Sequence, residues 1–304
     1  MIKLNIQNES GRLRALVLGI ASDFGGTPNI EDCYDPKSRA HVKAGTFPTN
    51  ELCLKEMDSL AAVFEKYDIK VFRPQNIKAL NQIFSRDIAF AISNKLVIPN
   101  IIEDRIKEVD AITDVINIIA SEDIIKMPLN TRAEGGDVMP CNEYIFVGYS
   151  EKEDFEKYIV ARTNRAALDF LTLTFPNKIV KGFELNKSDI DPRENALHLD
   201  CCFQPIGKNM SIIYKGGFKN SEDVDFLVNY FGEDNIIEVS KEEMYNMNSN
   251  IFSISEDIII SEKGFVRLNT ELRKRGFTVE EVPYSEIAKM EGLLRCSTMP
   301  LIRD

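Results

Sequence analysis

The chain has 304 residues, a formal net charge of −11 and six cysteines, none of them in a CxxC pair. This charge argues against binding to nucleic acid or to an anionic membrane surface, and the cysteine spacing predicts neither a disulfide framework nor a metal centre. With no run of 18 apolar residues and no secretory-type N-terminus, a cytoplasmic protein of one or two domains is expected.

The first 72 residues predict a strand, a long loop, a helix and a second strand. Residues 12–20 form an apolar run typical of a buried strand. Residues 21–48 contain Gly25-Gly26 and several prolines, and they predict a loop of uncommon length that serves as a lid or binds substrate. Apolar residues at helical spacing follow from Asn50, and residues 69–72 predict the next strand.

One pattern then recurs four times: two short strands, a helix and a third strand, with matched starts at residues 87, 137, 198 and 250. The first unit is a divergent copy. Modules that recur at about 50 residues bury their apolar faces against one another. The sequence therefore predicts an α/β fold of five ββαβ modules in a closed ring, as one domain over residues 1–304. An open doubly wound sheet is the alternative, but no glycine-rich phosphate loop follows any predicted strand.

Polar residues interrupt the apolar pattern at the start of each module's first strand, and in a ring these positions converge on the axis. They are Asp87, Glu134, Asp137, His198 and Asp200, and the Cys296 thiol joins them from the C-terminal segment. Singly, each has a structural explanation as a turn residue, a core histidine or a buried cysteine. Together, Cys296 and His198 predict a nucleophile and its acid–base partner, and the neighbouring Arg295 predicts a lowered thiol pKa.

Carboxylates around one cysteine and one histidine indicate the class of substrate. An acyl group needs oxyanion donors and gains nothing from anions. A guanidinium group is a planar cation that binds carboxylates through paired N–H donors. Its carbon is open to thiolate attack once anions hold its plane. The residue types thus favour covalent chemistry on a guanidino group, without a metal or a cofactor.

Several motifs in a fixed order carry a family resemblance. They are Asn81–Asp87 (NQIFSRD), Glu134–Met139 (EGGDVM), Ala161–Arg165 (ARTNR), His198–Asp200 (HLD), Glu291–Leu294 (EGLL) and Cys296–Asp304 (CSTMPLIRD). The chain resembles the guanidino-group-modifying superfamily, whose fold is the pentein, a closed pseudo-fivefold α/β propeller. Most of these motifs are similar to those of arginine deiminases. The segments 161–165 and 291–294 also resemble dimethylarginine dimethylaminohydrolases.

The resemblance implies a role for each matching residue. Cys296 would be the nucleophile and His198 the acid–base, oriented by Glu134. The substrate would be bound by Asp87 and Asp200 at the guanidinium, by Arg105 and Arg162 at the α-carboxylate, and by Asn81 and Phe84 along the pocket. Two features depart from the deiminases: Glu291 stands where they have an arginine, and their large helical insertion is absent.

Three reactions on a small guanidino substrate remain open. Hydrolysis of arginine gives citrulline and ammonia, hydrolysis of a methylarginine gives a methylamine, and an amidinotransferase passes the amidino group to an amine. Asp200 favours arginine, because a buried carboxylate needs N–H donors that methylation removes. The C-terminal and double-glycine motifs favour water as the acceptor, whereas residues 48–74 and Arg86-Asp87 fit an amidinotransferase equally well.

A non-enzymatic pentein scaffold is the hypothesis from a different class, and the intact set of Cys, His, Asp and Glu opposes it. Neither a nucleic-acid nor a membrane partner is expected. Self-association into a homo-oligomer stays open.

Overall fold

The protein is described by a computed structural model that covers residues 1–304. Its short strands form five separate three-stranded sheets. In every sheet the middle strand pairs antiparallel with one neighbour and parallel with the other. An antiparallel pair needs only a tight turn, whereas a parallel pair needs a longer crossover connection. The sheets thus repeat the ββαβ pattern predicted from the sequence.

The strands are β1 (Leu13–Leu18), β2 (Lys70–Phe72), β3 (Phe90–Ile92), β4 (Lys95–Ile98), β5 (Ile124–Lys126), β6 (Val138–Cys141), β7 (Tyr144–Tyr149), β8 (Ile179–Glu184), β9 (Phe203–Ile206), β10 (Met210–Ile213), β11 (Ile236–Glu238), β12 (Phe252–Ser253), β13 (Ile258–Glu262), β14 (Thr278–Val282) and β15 (Thr298–Arg303). The helices are α1 (Pro36–Lys43), α2 (Asn50–Lys66), α3 (Thr113–Asn117), α4 (Lys152–Lys157), α5 (Arg165–Thr174), α6 (Ser221–Phe231), α7 (Lys241–Tyr245) and α8 (Val266–Lys274).

One sheet joins the two ends of the chain, in the order β15-β1-β2. Strand β15 runs antiparallel to β1, with Thr298 opposite Leu18 and Arg303 opposite Leu13. The first unit looked divergent in the sequence because its antiparallel edge strand, β15, comes from the C-terminal segment. This pairing also fixes the position of Cys296, two residues before β15 begins.

The segment 21–48, predicted as one loop, contains helix α1, so that prediction was wrong in part. The side chain of Asp35 caps the helix by accepting a hydrogen bond of 2.6 Å from the Ser38 amide, and Pro36 occupies the first helical position. The residues of α1 are mostly polar, so the apolar periodicity that reveals other helices is missing here.

Two other elements differ from their predictions. His198 lies outside any strand, because a 3-10 turn spans Leu199–Cys201 and β9 begins only at Phe203. The four repeats predict helices near 102–118, 163–174, 221–231 and 265–275. The first of these is instead broken into 3-10 turns followed by the short α3. Isoleucine, valine and threonine are frequent in this stretch, and their restricted side chains lower helix propensity.

The largest apolar cluster surrounds the segment that carries the predicted nucleophile. It contains Leu60 and Phe64 of α2, Leu268 and Leu272 of α8, and Leu293, Leu294 and Cys296. Interiors of this kind are close-packed, so the backbone at Cys296 is held firmly. No helix combines the length and apolarity that crossing a bilayer requires.

Candidate active site

A cavity of about 210 Å³ brings most of the predicted site residues together. Its walls include Asn81, Phe84, Asp87, Arg105, Arg162, His198 and Cys296. Two of the predicted residues, Glu134 and Asp200, are fully buried and lie behind the lining side chains. A cavity of this size suits a small metabolite, since it falls below the roughly 300–1,000 Å³ of drug-sized ligand sites.

The thiol of Cys296 is held by Asn250, a residue that the sequence did not single out. The Asn250 Nδ2 donates a hydrogen bond of 3.2 Å to the Cys296 Sγ, and its Oδ1 accepts one of 3.2 Å from the Cys296 amide. The Sγ also lies 3.6 Å from Asp200 Oδ2. A signal for Asn250 existed, because residue 250 is the matched start of the fourth repeat and stands where the other repeats place acids or His198.

The pKa of Cys296 is raised well above its usual value, opposite to the expectation from its neighbour Arg295. Burial of the thiol is the main cause, followed by the charges of Asp200 and Asp87. The Asn250 hydrogen bond acts in the other direction but does not outweigh them. Arg295 does not lower the thiol pKa because its guanidinium is paired with Glu9 and Asp200.

His198 is buried, and its ring is positioned from two sides. Its Nε2 lies 2.9 Å from Glu134 Oε2. Its Nδ1 lies 3.7 Å from Asp87 Oδ1 and has no hydrogen-bond partner. A Cβ atom at Gly136 would come within 2.5 Å of Nδ1, so this close approach requires glycine.

The surroundings of His198 favour its protonated form. Burial opposes the charge, but Asp87, the hydrogen bond to Glu134 and the charge of Asp137 outweigh it, and the pKa is raised. The pKa of Glu134 is lowered despite burial, because Arg162, His198 and Arg105 stabilise the carboxylate. A protonated imidazole beside an ionised acid can serve as a general acid.

Arg105 lies in the cavity wall, and all of its donors are used within the protein. Its Nη1 donates to Asp87 Oδ2 at 2.7 Å and to Glu134 Oε2 at 3.4 Å. Its Nε and Nη2 donate to Glu108, and Nη2 also donates to the Phe84 carbonyl. Because a guanidinium carries five N–H groups, a substrate carboxylate can bind Arg105 only by displacing one of these acceptors.

Arg162 is also paired, but it keeps one donor. Its Nη1 lies 3.1 and 3.3 Å from the two Glu134 oxygens, and its Nε donates to the Ile159 carbonyl. Its Nη2 donates a single hydrogen bond, of 2.9 Å, to the Tyr34 carbonyl. The second Nη2 hydrogen therefore has no acceptor within the protein.

Asp200 has its counter-ion inside the protein. Its Oδ2 accepts a hydrogen bond of 2.9 Å from Arg295 Nη1, and both residues are fully buried. Asp200 thus contacts the Cys296 thiol but does not line the cavity.

Asp87, Glu134 and His198 each offer one ligand atom within 4.8 Å of the others, a spacing that could hold a cation. Arg105 bonds to both carboxylates and Arg162 bonds to Glu134. The two guanidinium groups therefore supply the positive charge that a metal ion would supply. The donor set favours an ion-pair network over a metal centre.

The start of helix α1 and Glu291 complete the cavity; the segment 21–48 was expected to bind substrate or act as a lid, whereas no role in the pocket had been predicted for Glu291. Tyr34 and Asp35, just before α1, line the wall together with Glu291. Glu291 has a positive φ of 59° and accepts a hydrogen bond of 2.7 Å from Asn195. Its pKa is raised well above the usual value, by burial first and then by Asp35. The expectation that residues 21–48 form part of the substrate pocket thus agrees with the lining.

The chain is similar in sequence to two bacterial proteins. The protein YkgA of Bacillus subtilis is 31% identical over 223 residues, which cover 73% of this chain and 70% of YkgA. An arginine deiminase of Listeria welshimeri is 28% identical over 204 residues, which cover 56% of this chain and 47% of the deiminase.

Two solved structures share the fold. The N-terminal domain of ArgZ, a cyanobacterial arginine dihydrolase, has a TM-score of 0.77 at 17% identity, covering 95% of this chain and 97% of that domain. SxtG, an amidinotransferase from Microseira wollei, has a TM-score of 0.76 at 15% identity, covering 99% and 97%. The family described as N,N dimethylarginine dimethylhydrolase, eukaryotic, matches residues 36–303. The chain therefore belongs to this family, within the guanidino-group-modifying pentein superfamily that its motifs predicted.

Proposed function

We propose that the protein is a hydrolase that acts on the guanidino carbon of L-arginine or a close analogue through a covalent intermediate on Cys296. The observation that carries the proposal is that Cys296, His198 and Asp87 line one small cavity. Glu134 accepts a hydrogen bond from the same histidine. Covalent hydrolysis needs a nucleophile and one group that acts first as a general acid and then as a general base, and Cys296 and His198 would fill these roles.

The reaction proceeds in two steps. The Cys296 sulfur attacks the guanidino carbon, a C–S bond forms, and a C–N bond breaks as His198 gives its proton to the departing ammonia. The resulting S-alkylthiouronium is attacked by water, whose proton returns to His198. The C–S bond breaks, citrulline is released, and the Cys296 thiolate is regenerated.

Ionisation of Cys296 depends on the substrate. The thiol is neutral before binding because burial and the charges of Asp200 and Asp87 raise its pKa. A guanidinium ion bound next to the sulfur places positive charge where these carboxylates place negative charge. Substrate binding therefore favours the thiolate, and the thiol proton is released to solvent because His198 already carries its own proton. When the cavity is empty, Cys296 stays an unreactive thiol.

The α-carboxylate of the substrate would bind Arg162 through its remaining Nη2 hydrogen. Arg105 would take part only if it exchanged one internal acceptor for the substrate. Asn81 and Phe84 would contact the aliphatic chain. Asp87 would hold the guanidinium, because it is a carboxylate in the cavity wall. Its oxygens already accept hydrogen bonds from Arg105 and from the Gly136 amide, so the substrate would compete with Arg105 for it. Asp200 would act on Cys296, whose sulfur it contacts, and not on the substrate directly.

We also infer that the five sheets close into a ring and that residues 1–304 form one catalytic domain. The sheet shared by β15 and β1 supports this, because it ties the last module to the first. An axis at the centre of such a ring would explain why side chains from distant modules line one cavity.

Hydrolysis of the neutral ureido group of citrulline is a second candidate. Asp87 and Asp200 are each already paired with an internal arginine, at 2.7 and 2.9 Å. A site whose carboxylates carry their own counter-ions has less need of a cationic substrate. The same cysteine and histidine would then yield ornithine, ammonia and carbon dioxide.

The test is a set of parallel incubations with L-arginine, L-arginine plus glycine, asymmetric dimethylarginine and L-citrulline. Citrulline from arginine supports the main proposal, and ornithine from citrulline supports the second candidate. Guanidinoacetate would indicate an amidinotransferase, and dimethylamine a methylarginine hydrolase. The Cys296→Ala variant should be inactive, and Cys53→Ala, which changes a buried cysteine outside the cavity, should remain active. Failure of all four incubations would overturn the proposal and favour the scaffold hypothesis.

A further inference from the structure

A second cavity, of about 510 Å³, shares two walls with the substrate cavity. Asp35 and Ser38 at the start of α1 line the substrate cavity, whereas Lys37 and His41 of the same helix line the second one. Residues 288–293, which precede Cys296, are also shared between the two cavities. Glu291 faces the substrate cavity, and residues 288, 289 and 293 face the second cavity.

Three buried polar groups in this second cavity lack a full set of partners. The Lys37 Nζ donates to the Tyr245 carbonyl at 2.5 Å and forms no salt bridge. Glu262 forms no salt bridge either, and its Oε2 accepts a hydrogen bond from the Gly264 amide. The Oδ1 of Asn248, which is 3% exposed, has no hydrogen-bond partner at all. Buried groups of this kind are rare unless water or a ligand completes them.

The remaining charges of this cavity are already paired. Arg267 bonds to Glu243 through Nε and Nη2. Lys289 lies 2.7 Å from Glu286. One cation, Lys37, and one anion, Glu262, are therefore left for a ligand, together with the acceptor Oδ1 of Asn248.

We propose that this second cavity is a regulatory site for a small zwitterionic α-amino acid. The ligand's carboxylate binds the Lys37 ammonium, and its ammonium group binds Glu262 and the Asn248 Oδ1. Burial lowers the pKa of Lys37 to about 8, and a carboxylate partner would stabilise its charged form. The cavity volume lies within the range of small-molecule sites.

Two connections, one a hydrogen bond and one along the chain, link such a ligand to the substrate site. The backbone amide of Lys37 donates a hydrogen bond of 3.3 Å to Glu291 Oε2, which belongs to the substrate cavity. Asn248 lies two residues before Asn250, which holds the Cys296 thiol. A ligand that shifts either residue changes the substrate site, and the coupling is reciprocal by thermodynamic linkage.

Calorimetric titration with L-alanine tests binding without any turnover, so its result is independent of the proposed reaction. L-Alanine is expected to bind one site per chain, and propionate or ethylamine, each lacking one charge, at least tenfold more weakly. The Lys37→Met and Asn248→Ala variants should each raise the Kd of L-alanine at least tenfold, about 1.4 kcal/mol. The matched control is Lys43→Met, an exposed lysine at the end of the same helix, which should bind like wild type.

Regulation is measured by the KM of the guanidino substrate with and without saturating L-alanine. A change of at least twofold is expected in wild type and none in Asn248→Ala. L-Ornithine and L-citrulline, titrated in the same way, distinguish a reaction product from a general amino acid as the ligand. The proposal is overturned if none of these amino acids binds, if Lys37→Met and Asn248→Ala bind like Lys43→Met, or if binding leaves KM unchanged.

Discussion

Replacing Asn250 by alanine tests how the nucleophile is held. The change removes two hydrogen bonds of 3.2 Å, one to the Cys296 sulfur and one to its amide. It also removes the hydrogen bond of 3.4 Å to the Asp200 carbonyl. Asn250 does not line the cavity, so the substrate makes no direct contact with the altered side chain.

The expected effect falls on kcat. A hydrogen bond to a charged group contributes about 1.5–3 kcal/mol, and the thiolate of Cys296 would lose one. At about 1.36 kcal/mol per factor of ten, kcat should fall roughly tenfold to hundredfold while KM changes little. The pKa of Cys296 should rise further, because the Asn250 hydrogen bond lowers it in the native protein.

Three measurements check this prediction: steady-state kinetics, the pH dependence of Cys296 alkylation by iodoacetamide, and urea unfolding. The matched control is Asn269→Ala, which removes hydrogen bonds of 2.9 and 3.1 Å from another buried asparagine, to the Glu262 carbonyl and to Glu281. Both variants should lose stability, but only Asn250→Ala should lose kcat and shift the alkylation profile to higher pH. Equal kinetic losses in the two variants, or an unshifted profile for Asn250→Ala, would refute the reasoning.

Four further predictions follow from the same site. Cys296→Ala and His198→Ala should each lower kcat more than a hundredfold, because general acid–base catalysis contributes a rate factor of about 10² to 10⁴. Circular dichroism should show that the fold is retained, and activity above a hundredth of wild type would contradict the proposed roles. Agmatine should have a kcat/KM at least tenfold below that of arginine if Arg162 binds the α-carboxylate, and equal values would remove that assignment. Asymmetric dimethylarginine should be disfavoured at least tenfold if Asp87, which lines the cavity, requires N–H donors from the guanidinium, and turnover as fast as that of arginine would show that it does not. Burial opposes ionisation of Glu9, but its arginine partners outweigh this effect and lower its pKa to about 2. The ionised carboxylate contributes on the order of 3 kcal/mol to stability, which is present above pH 4.5 and is lost as the pH falls towards 2. Urea unfolding of Glu9→Gln should therefore show a lower stability than wild type at pH 7 and a smaller loss of stability between pH 4.5 and 2, and parallel pH profiles of the two proteins would contradict this.

Much of the fold could be predicted from the sequence because the strands and most helices are short apolar segments with clear boundaries. Helix α6 begins and ends where its periodicity predicts, at Ser221 and Phe231. The exceptions have local causes. Helix α1 depends on the Asp35 cap and Pro36 more than on an apolar face, and the 102–118 segment is shaped by the buried pair of Arg105 and Glu108.

The residues of the candidate site were found because chemistry-bearing side chains interrupt apolar strands at repeated positions. Cys296, His198 and Asp87 reach one cavity although 98 residues or more separate each from the next. Their partners were harder to predict. Asn250 stands at the matched start of the fourth repeat, but its side chain carries no charge or nucleophile that would mark it as a site residue. The pairing of Arg295 with Asp200 across 95 residues depends on the sheet that joins the chain ends.

The sequence suggested carboxylates that wait unpaired for the substrate, but the charges of the site show that each one has a partner in the empty protein. A buried carboxylate without a partner costs several kcal/mol, so Asp87, Glu134 and Asp200 must each be paired before any substrate arrives. Arg105, Arg162 and Arg295 supply those pairs. An incoming guanidinium therefore competes with Arg105 for Asp87 and gains only the difference between two similar ion pairs. Selectivity among arginine, methylarginines and citrulline then depends less on total charge than on which ligand can replace the Arg105 hydrogen bonds.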